Sequence, residues 1–104
     1  LQSSIEKGKP TRVVGPVSEM GRLDCKFPSL QAFYSLSKTA NAFVTITERE
    51  AELGNRFLSD QGISISKSGS AGFVALRLLA KKREFMLDKD SKVLCLFSEG
   101  SVEK

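Results

Sequence analysis

The sequence predicts an α/β domain: helices packed on a mainly parallel sheet, in the order β-α-β-α-β-α-β, a partial three-layer αβα arrangement. Three observations lead there. Residues 63–83 (ISISKSGSAGFVALRLLAKKR) pass from an alternating stretch through small residues into an apolar helix. Residues 42–46 (AFVTI) and 93–97 (VLCLF) are β-branched or apolar runs bounded by polar residues, and the second fits a strand buried on both faces. The connections between these runs are long enough for parallel crossovers.

The elements follow in order. Residues 1–10 (LQSSIEKGKP) are polar, with Gly8 and Pro10, and read as a flexible or irregular lead-in extending to residue 11. Arg12, Val13 and Val14 form a short β-branched run that Gly15 and Pro16 stop. Residues 17–26 have no period and read as loop. Pro28 suits the first turn of a helix, on which Leu30, Phe33, Tyr34 and Ser37 share a face. After the run 42–46, Thr47 with Glu50 is a capping box opening a second helix. Ala51, Gly54 and Leu58 face one way on it, joined by Phe57, and Gly62 closes it. Residues 63–66 read as a half-buried strand. Residues 73–80 read as a largely covered helix, with Lys81, Lys82 and Arg83 at its negative end. Residues 87–91 are a turn, and the tail SVEK is polar.

With 104 residues, the chain suits a single domain. The opening residue is Leu1 rather than Met, from which we expect a further N-terminal part. No apolar run is long enough to span a bilayer, so no membrane partner is expected. The net charge of +4 is mild, and aromatic residues do not alternate with basic ones, so no nucleic-acid partner is expected either. Cys25 and Cys95 are too few for a secreted disulfide scaffold. They read as buried or half-buried thiols of a cytoplasmic protein. The chain has no histidine. That excludes a Cys/His pair, a Ser-His-Asp triad and a His-rich zinc site, and no metal or catalytic residue is assigned.

In open α/β sheets ligands sit at the carboxyl ends of strands. Two polar turns are expected there, 66–72 and 98–100. The start of a helix can hold an anion, but the glycine spacing of a dinucleotide site or P-loop is missing. By themselves, these residues read as a tight strand-to-helix connection, with Ser68 as a helix cap and Ser98 as a strand-end cap.

Three pieces in this order, GRLDCKFPS (21–29), SGSAG (68–72) and VLCLFSEG (93–100), resemble the C-terminal part of fold type II, or tryptophan synthase β-like, pyridoxal-phosphate enzymes. The similarity is to the threonine synthase, threonine dehydratase and diaminopropionate ammonia-lyase branch, and spans roughly residues 12–100. The resemblance implies pyridoxal 5′-phosphate as cofactor in the full-length enzyme. It places Ser98 at the pyridine nitrogen, and Ser68, Gly69, Ser70 and Gly100 around the same pocket. A neutral hydroxyl at that nitrogen suits elimination and replacement chemistry. Residues 21–29 would be a mobile segment at the mouth of the site.

The chain also departs from that family. The Schiff-base lysine motif and the glycine-rich phosphate loop are missing. Lys67 is not at the family's lysine position. Ser66 and Lys67 stand where dehydratases carry a glutamate, and Gly15-Pro16 stands for the family's Glu-Pro. The expectation is therefore an inactive C-terminal portion of an amino-acid lyase or synthase. Its partners would be an amino-acid substrate in the full-length enzyme, the missing N-terminal part, and further copies in a homo-oligomer. The alternative is a stand-alone small-molecule-binding or regulatory α/β module.

Overall fold

The computed structural model describes residues 1–82 and 84–101. Arg83, the last of the expected basic triplet, and residues 102–104 of the polar tail lie outside the described residues. The chain forms two compact units, Leu1–Thr45 and Ile46–Lys104.

The first unit holds α1 (Gln2–Lys7) and α2 (Leu30–Thr39). Where the sequence reads as an irregular lead-in, six residues form a helix, closed by Gly8 in left-handed backbone, φ 72°. Ser4 is fully buried. Its hydroxyl accepts from the Thr11 N–H at 2.9 Å and donates to the Thr11 carbonyl at 3.3 Å. Ser29 caps α2 by accepting from the Ala32 N–H at 3.3 Å, so Pro28 stands just outside the helix rather than in its first turn. Of the expected apolar face, Phe33 is buried, while Leu30 and Tyr34 are exposed.

The loop between these helices is cross-tied. The Val13 N–H donates to the Lys26 carbonyl at 2.7 Å. Asp24 accepts from the Ser18 N–H at 2.9 Å and pairs with the Lys26 ammonium, which also donates to the Pro16 carbonyl at 2.9 Å. The Lys26 hydrogen bond, then that of Ser18, hold the Asp24 carboxyl below the ordinary carboxylate range.

The second unit holds α3 (Glu48–Asp60) and α4 (Lys67–Lys81), followed by a one-turn stretch Glu84–Met86. The expected capping box is present: Thr47 Oγ1 accepts from the Glu50 N–H at 3.1 Å, and Glu50 Oε1 accepts from the Thr47 N–H at 2.8 Å. Gly62 turns the chain out of α3 with φ 83°, where a side chain would be strained. Ala51, Gly54 and Leu58 are buried, as their spacing predicts. Gly54 meets Val74 of α4, a helix on which Gly69 and Ser70 are also buried. Gly54 marks the closest approach: a Cβ there would lie 2.2 Å from Val74 Cγ2. The rest of α4 is half-covered rather than enclosed.

Losing the capping box should be measurable. Thr47→Ala is expected to cost about 1 kcal/mol in denaturant unfolding. The Glu50 carboxyl is held below its ordinary pKa, chiefly by the Thr47 N–H. A carboxylate with a depressed folded-state pKa stabilises above its unfolded value, and that contribution fades as pH falls through the folded value. Glu50→Gln, which removes the titrating carboxylate, should therefore lose less stability than wild type on acidification.

The predicted α/β class is wrong. Among the described residues there is no sheet and no parallel pairing; the β contact is a single antiparallel bridge between Ile65 and Gly100. Residues 12–14, 42–46, 63–66 and 93–97 have strand-like composition but form no strands. A strand is stable only beside another. Residues 93–97, expected to be buried on both faces, leave Leu94 and Leu96 largely exposed. The stretch 66–72, expected to be a turn at a strand's end, is the start of α4. No helix among the described residues is long and apolar enough to cross a membrane.

Candidate functional site

Of the five residues singled out by the resemblance, Gly69 and Gly100 lie at one seam of the second unit, where Glu99 rests on the start of α4 and Gly100 bridges to Ile65. Ser66 caps α4 by accepting from the Gly69 N–H at 2.9 Å, a role the sequence reading gave to Ser68. With its own N–H, Ser66 donates to the Glu99 carbonyl at 3.1 Å. Beside it runs the Ile65–Gly100 bridge. A Cβ on Gly69 would lie 2.7 Å from the Glu99 carbonyl oxygen and 3.0 Å from its nitrogen. Gly69 is thus what lets the backbone of Glu99 lie flat on the helix. Ser98 and Gly100 flank that contact on one chain segment, Ser68 and Ser70 on the other.

Their environments differ. Ser70 is fully buried. Its hydroxyl donates to the Lys67 carbonyl at 3.2 Å and accepts from Asn55 Nδ2 at 3.3 Å. Asn55 Nδ2 also donates to the Ile65 carbonyl at 2.7 Å. Ser70 is therefore committed to the packing of α3 against α4. Ser98 is exposed and makes no hydrogen bond among the described residues, and the space that a Cβ on Gly100 would enter is open. Ser68 is half-buried in the first turn of α4.

An aromatic ladder ends on Phe97, just before this seam. The Arg77 guanidinium lies 4.0 Å above the Phe57 ring. Phe57 stacks on Phe73 at 6.2 Å, and Phe97 meets Phe73 edge-on at 6.0 Å. Each such aromatic pair adds about 0.5–1.5 kcal/mol beyond its area. Sequence reasoning missed Asn55 and this ladder. Asn55 had a signal: a poor helix former in mid-helix, next to the buried stripe of Ala51, Gly54 and Leu58.

Residues 21–29 belong to the first unit and carry the Asp24–Lys26 tie. Cys25 is exposed and Cys95 half-buried, and neither forms a disulfide; Cys25 thus differs from the buried or half-buried thiol expected. No group of three metal-ligating side chains occurs among the described residues. A hollow of about 220 Å³, lined by Glu50, Leu53, Gly54, Val74, Arg77, Leu78 and Lys81, runs along α3 and α4. It is smaller than the usual small-molecule pocket.

The seam suits pyridoxal phosphate in part. The neutral Ser98 hydroxyl is exposed and a chemically apt donor to a pyridine nitrogen. The space before Gly69 is filled by the chain's own backbone, and no described residue is placed for the phosphate or the aldehyde. Comparison with protein-family models finds no match, and comparisons with curated proteins and with solved structures find none either.

Proposed function

We propose that this chain is the C-terminal portion of a cytoplasmic pyridoxal-phosphate-dependent amino-acid lyase or synthase, and that it supplies the wall at the ring nitrogen. The observation that carries the reading is the docking of Glu99 on Gly69. The resemblance assigns two pieces far apart in sequence, SGSAG and FSEG, to one site, and the close approach of the Glu99 backbone to Gly69 supports that assignment. When bound, the cofactor supplies the electron-withdrawing ring that elimination and replacement at an amino acid require. The chain's own residues position a donor. The Ser66 N–H and Gly69 fix the backbone of Glu99. The Phe97–Phe73 contact fixes the segment before it. Ser98 lies between these anchors, so its hydroxyl is held at a defined place without being used up in packing. A neutral donor leaves the ring nitrogen largely unprotonated. The lysine and the phosphate loop would come from another part of the enzyme, so the chain alone is expected to be inactive.

Pyridoxal phosphate added to the isotope-labelled chain should shift the amide resonances of residues 66–70 and 98–100. Ser98→Ala should weaken that effect about fivefold, the worth of one neutral hydrogen bond of about 1 kcal/mol. Borohydride reduction should label lysines only in part and without preference. Shifts confined to other residues, or a stoichiometric adduct at one lysine, would overturn the reading.

A further inference from the structure

The stretch 93–97 is covered on one side only. Phe97 rests on Phe73 and Cys95 is half-buried, whereas Leu94 and Leu96 are 85% and 77% exposed. Among the described residues, the backbone groups of 92–98 make no backbone–backbone hydrogen bond; the first such contact is the Glu99 carbonyl with the Ser66 N–H. An apolar segment whose backbone groups make no such bonds among the described residues offers an edge on which another strand can form.

The segment is also complementary to itself. Two copies paired antiparallel about a two-fold axis place one residue opposite its own counterpart. Centring on Cys95 is the register that opposes only apolar residues across 93–97. Leu94 then faces Leu96 of the second copy, Val93 faces Phe97, and Lys92 faces the neutral Ser98. Centring on Leu94 would set Lys92 against Leu96, and centring on Leu96 would set Val93 against Glu99. We propose that residues 93–97 form a two-stranded antiparallel ribbon with a second copy of this chain, centred on Cys95. The proposal rests on the free edge and on the order of side chains. It does not depend on whether pyridoxal phosphate binds.

The test uses the full chain with Cys25→Ser, so that Cys95 is the remaining thiol. Sedimentation equilibrium should give a monomer–dimer equilibrium in the micromolar range. Directly opposed residues bring their Cβ atoms to about 4.5–5.5 Å, a short step from disulfide reach. Treatment with diamide should therefore join two chains through Cys95. The two thiols give up two protons and two electrons, and the azo bond of diamide is reduced to the hydrazine. Leu94→Lys and Leu96→Lys, both at exposed positions, should each raise the dimer dissociation constant at least about tenfold, roughly one 1.4 kcal/mol step, with the helical circular dichroism unchanged. A chain that stays monomeric to about 0.5 mM, in the range of the weakest contacts, would overturn the proposal. So would a dimer that Cys95 does not cross-link, or one indifferent to both lysine substitutions.

Discussion

Gly54→Ala should destabilise the second unit by about 1–3 kcal/mol, the usual cost of forcing an extra carbon into a packed interface. Two effects compete. Alanine in a helix interior is favoured over glycine by about 1 kcal/mol. Against that, the new Cβ would stand 2.2 Å from Val74 Cγ2, 3.1 Å from Cγ1 and 3.2 Å from Cβ, where carbon atoms are at ease near 3.5–4.0 Å. Turning the valine about χ1 moves the methyls but leaves its Cβ in place, and a branched side chain in a helix has one strongly preferred rotamer. The helices must separate, and the core of the unit is thin: among the described residues Ala51, Leu58, Ile65 and Val74 are its buried apolar side chains. The clash therefore wins. The measurement is urea unfolding of Gly54→Ala, of Val74→Ala and of the double variant. Most of the loss caused by Gly54→Ala should vanish when Val74 is already alanine. A Gly54→Ala protein as stable as wild type would show that the helices are not in contact at this point.

What could be read from the sequence was what depends on neighbours along the chain. The capping box of Thr47 and Glu50, the left-handed Gly62, the buried stripe Ala51–Gly54–Leu58 and the turn at Asp88–Ser91 are all present. Each is decided within one or two helical turns. The sheet could not be read this way, because a strand exists only through a partner distant in sequence. Residues 93–97 carry the composition of an interior strand, and no second strand stands beside them among the described residues.

The start of α4 misled for another reason. Serine and glycine at 66–70 look like a turn, yet here they are small because they are pressed. Gly69 lies under Glu99, Ser70 lies under Asn55, and Ser66 makes the cap. Small residues at a close contact and small residues in a turn have the same composition. A cap followed by an apolar helix was the distinguishing sign. Nothing in the spacing of SGSAG and FSEG along the chain shows that Glu99 lies on Gly69. Asn55, Phe57 and Phe73, which hold the seam together, needed the packing of α3 on α4 to be seen.

Gly69→Ala should release residues 98–101 from α4 while leaving both helices of the second unit formed. The added Cβ would meet the Glu99 carbonyl oxygen at 2.7 Å, the Glu99 nitrogen at 3.0 Å and Ile65 Cγ1 at 3.0 Å. Two of these obstacles are backbone, so no rotamer change clears them. Either the helix start or the segment has to move. The helix start is held by the Ser66 cap, the Ser70 hydroxyl and both bonds of Asn55. The segment is held by the Ser66–Glu99 bond, the Gly100 bridge and the Phe97 edge contact. One net hydrogen bond of about 1 kcal/mol does not resist an overlap of this size, so the segment gives way. Exchange of the Ser66 amide should quicken about tenfold, the equivalent of one 1.4 kcal/mol step, with the helical signal retained. The variant also separates position from chemistry at Ser98. If that hydroxyl binds a ring nitrogen only because its neighbour is pinned, Gly69→Ala should abolish the cofactor-dependent shift at residues 98–100 as fully as Ser98→Ala does, though the serine is still there. An unchanged Ser66 exchange rate would mean that the close approach at Gly69 does not hold the segment. An unchanged cofactor response would mean that Ser98 reaches its partner without the seam.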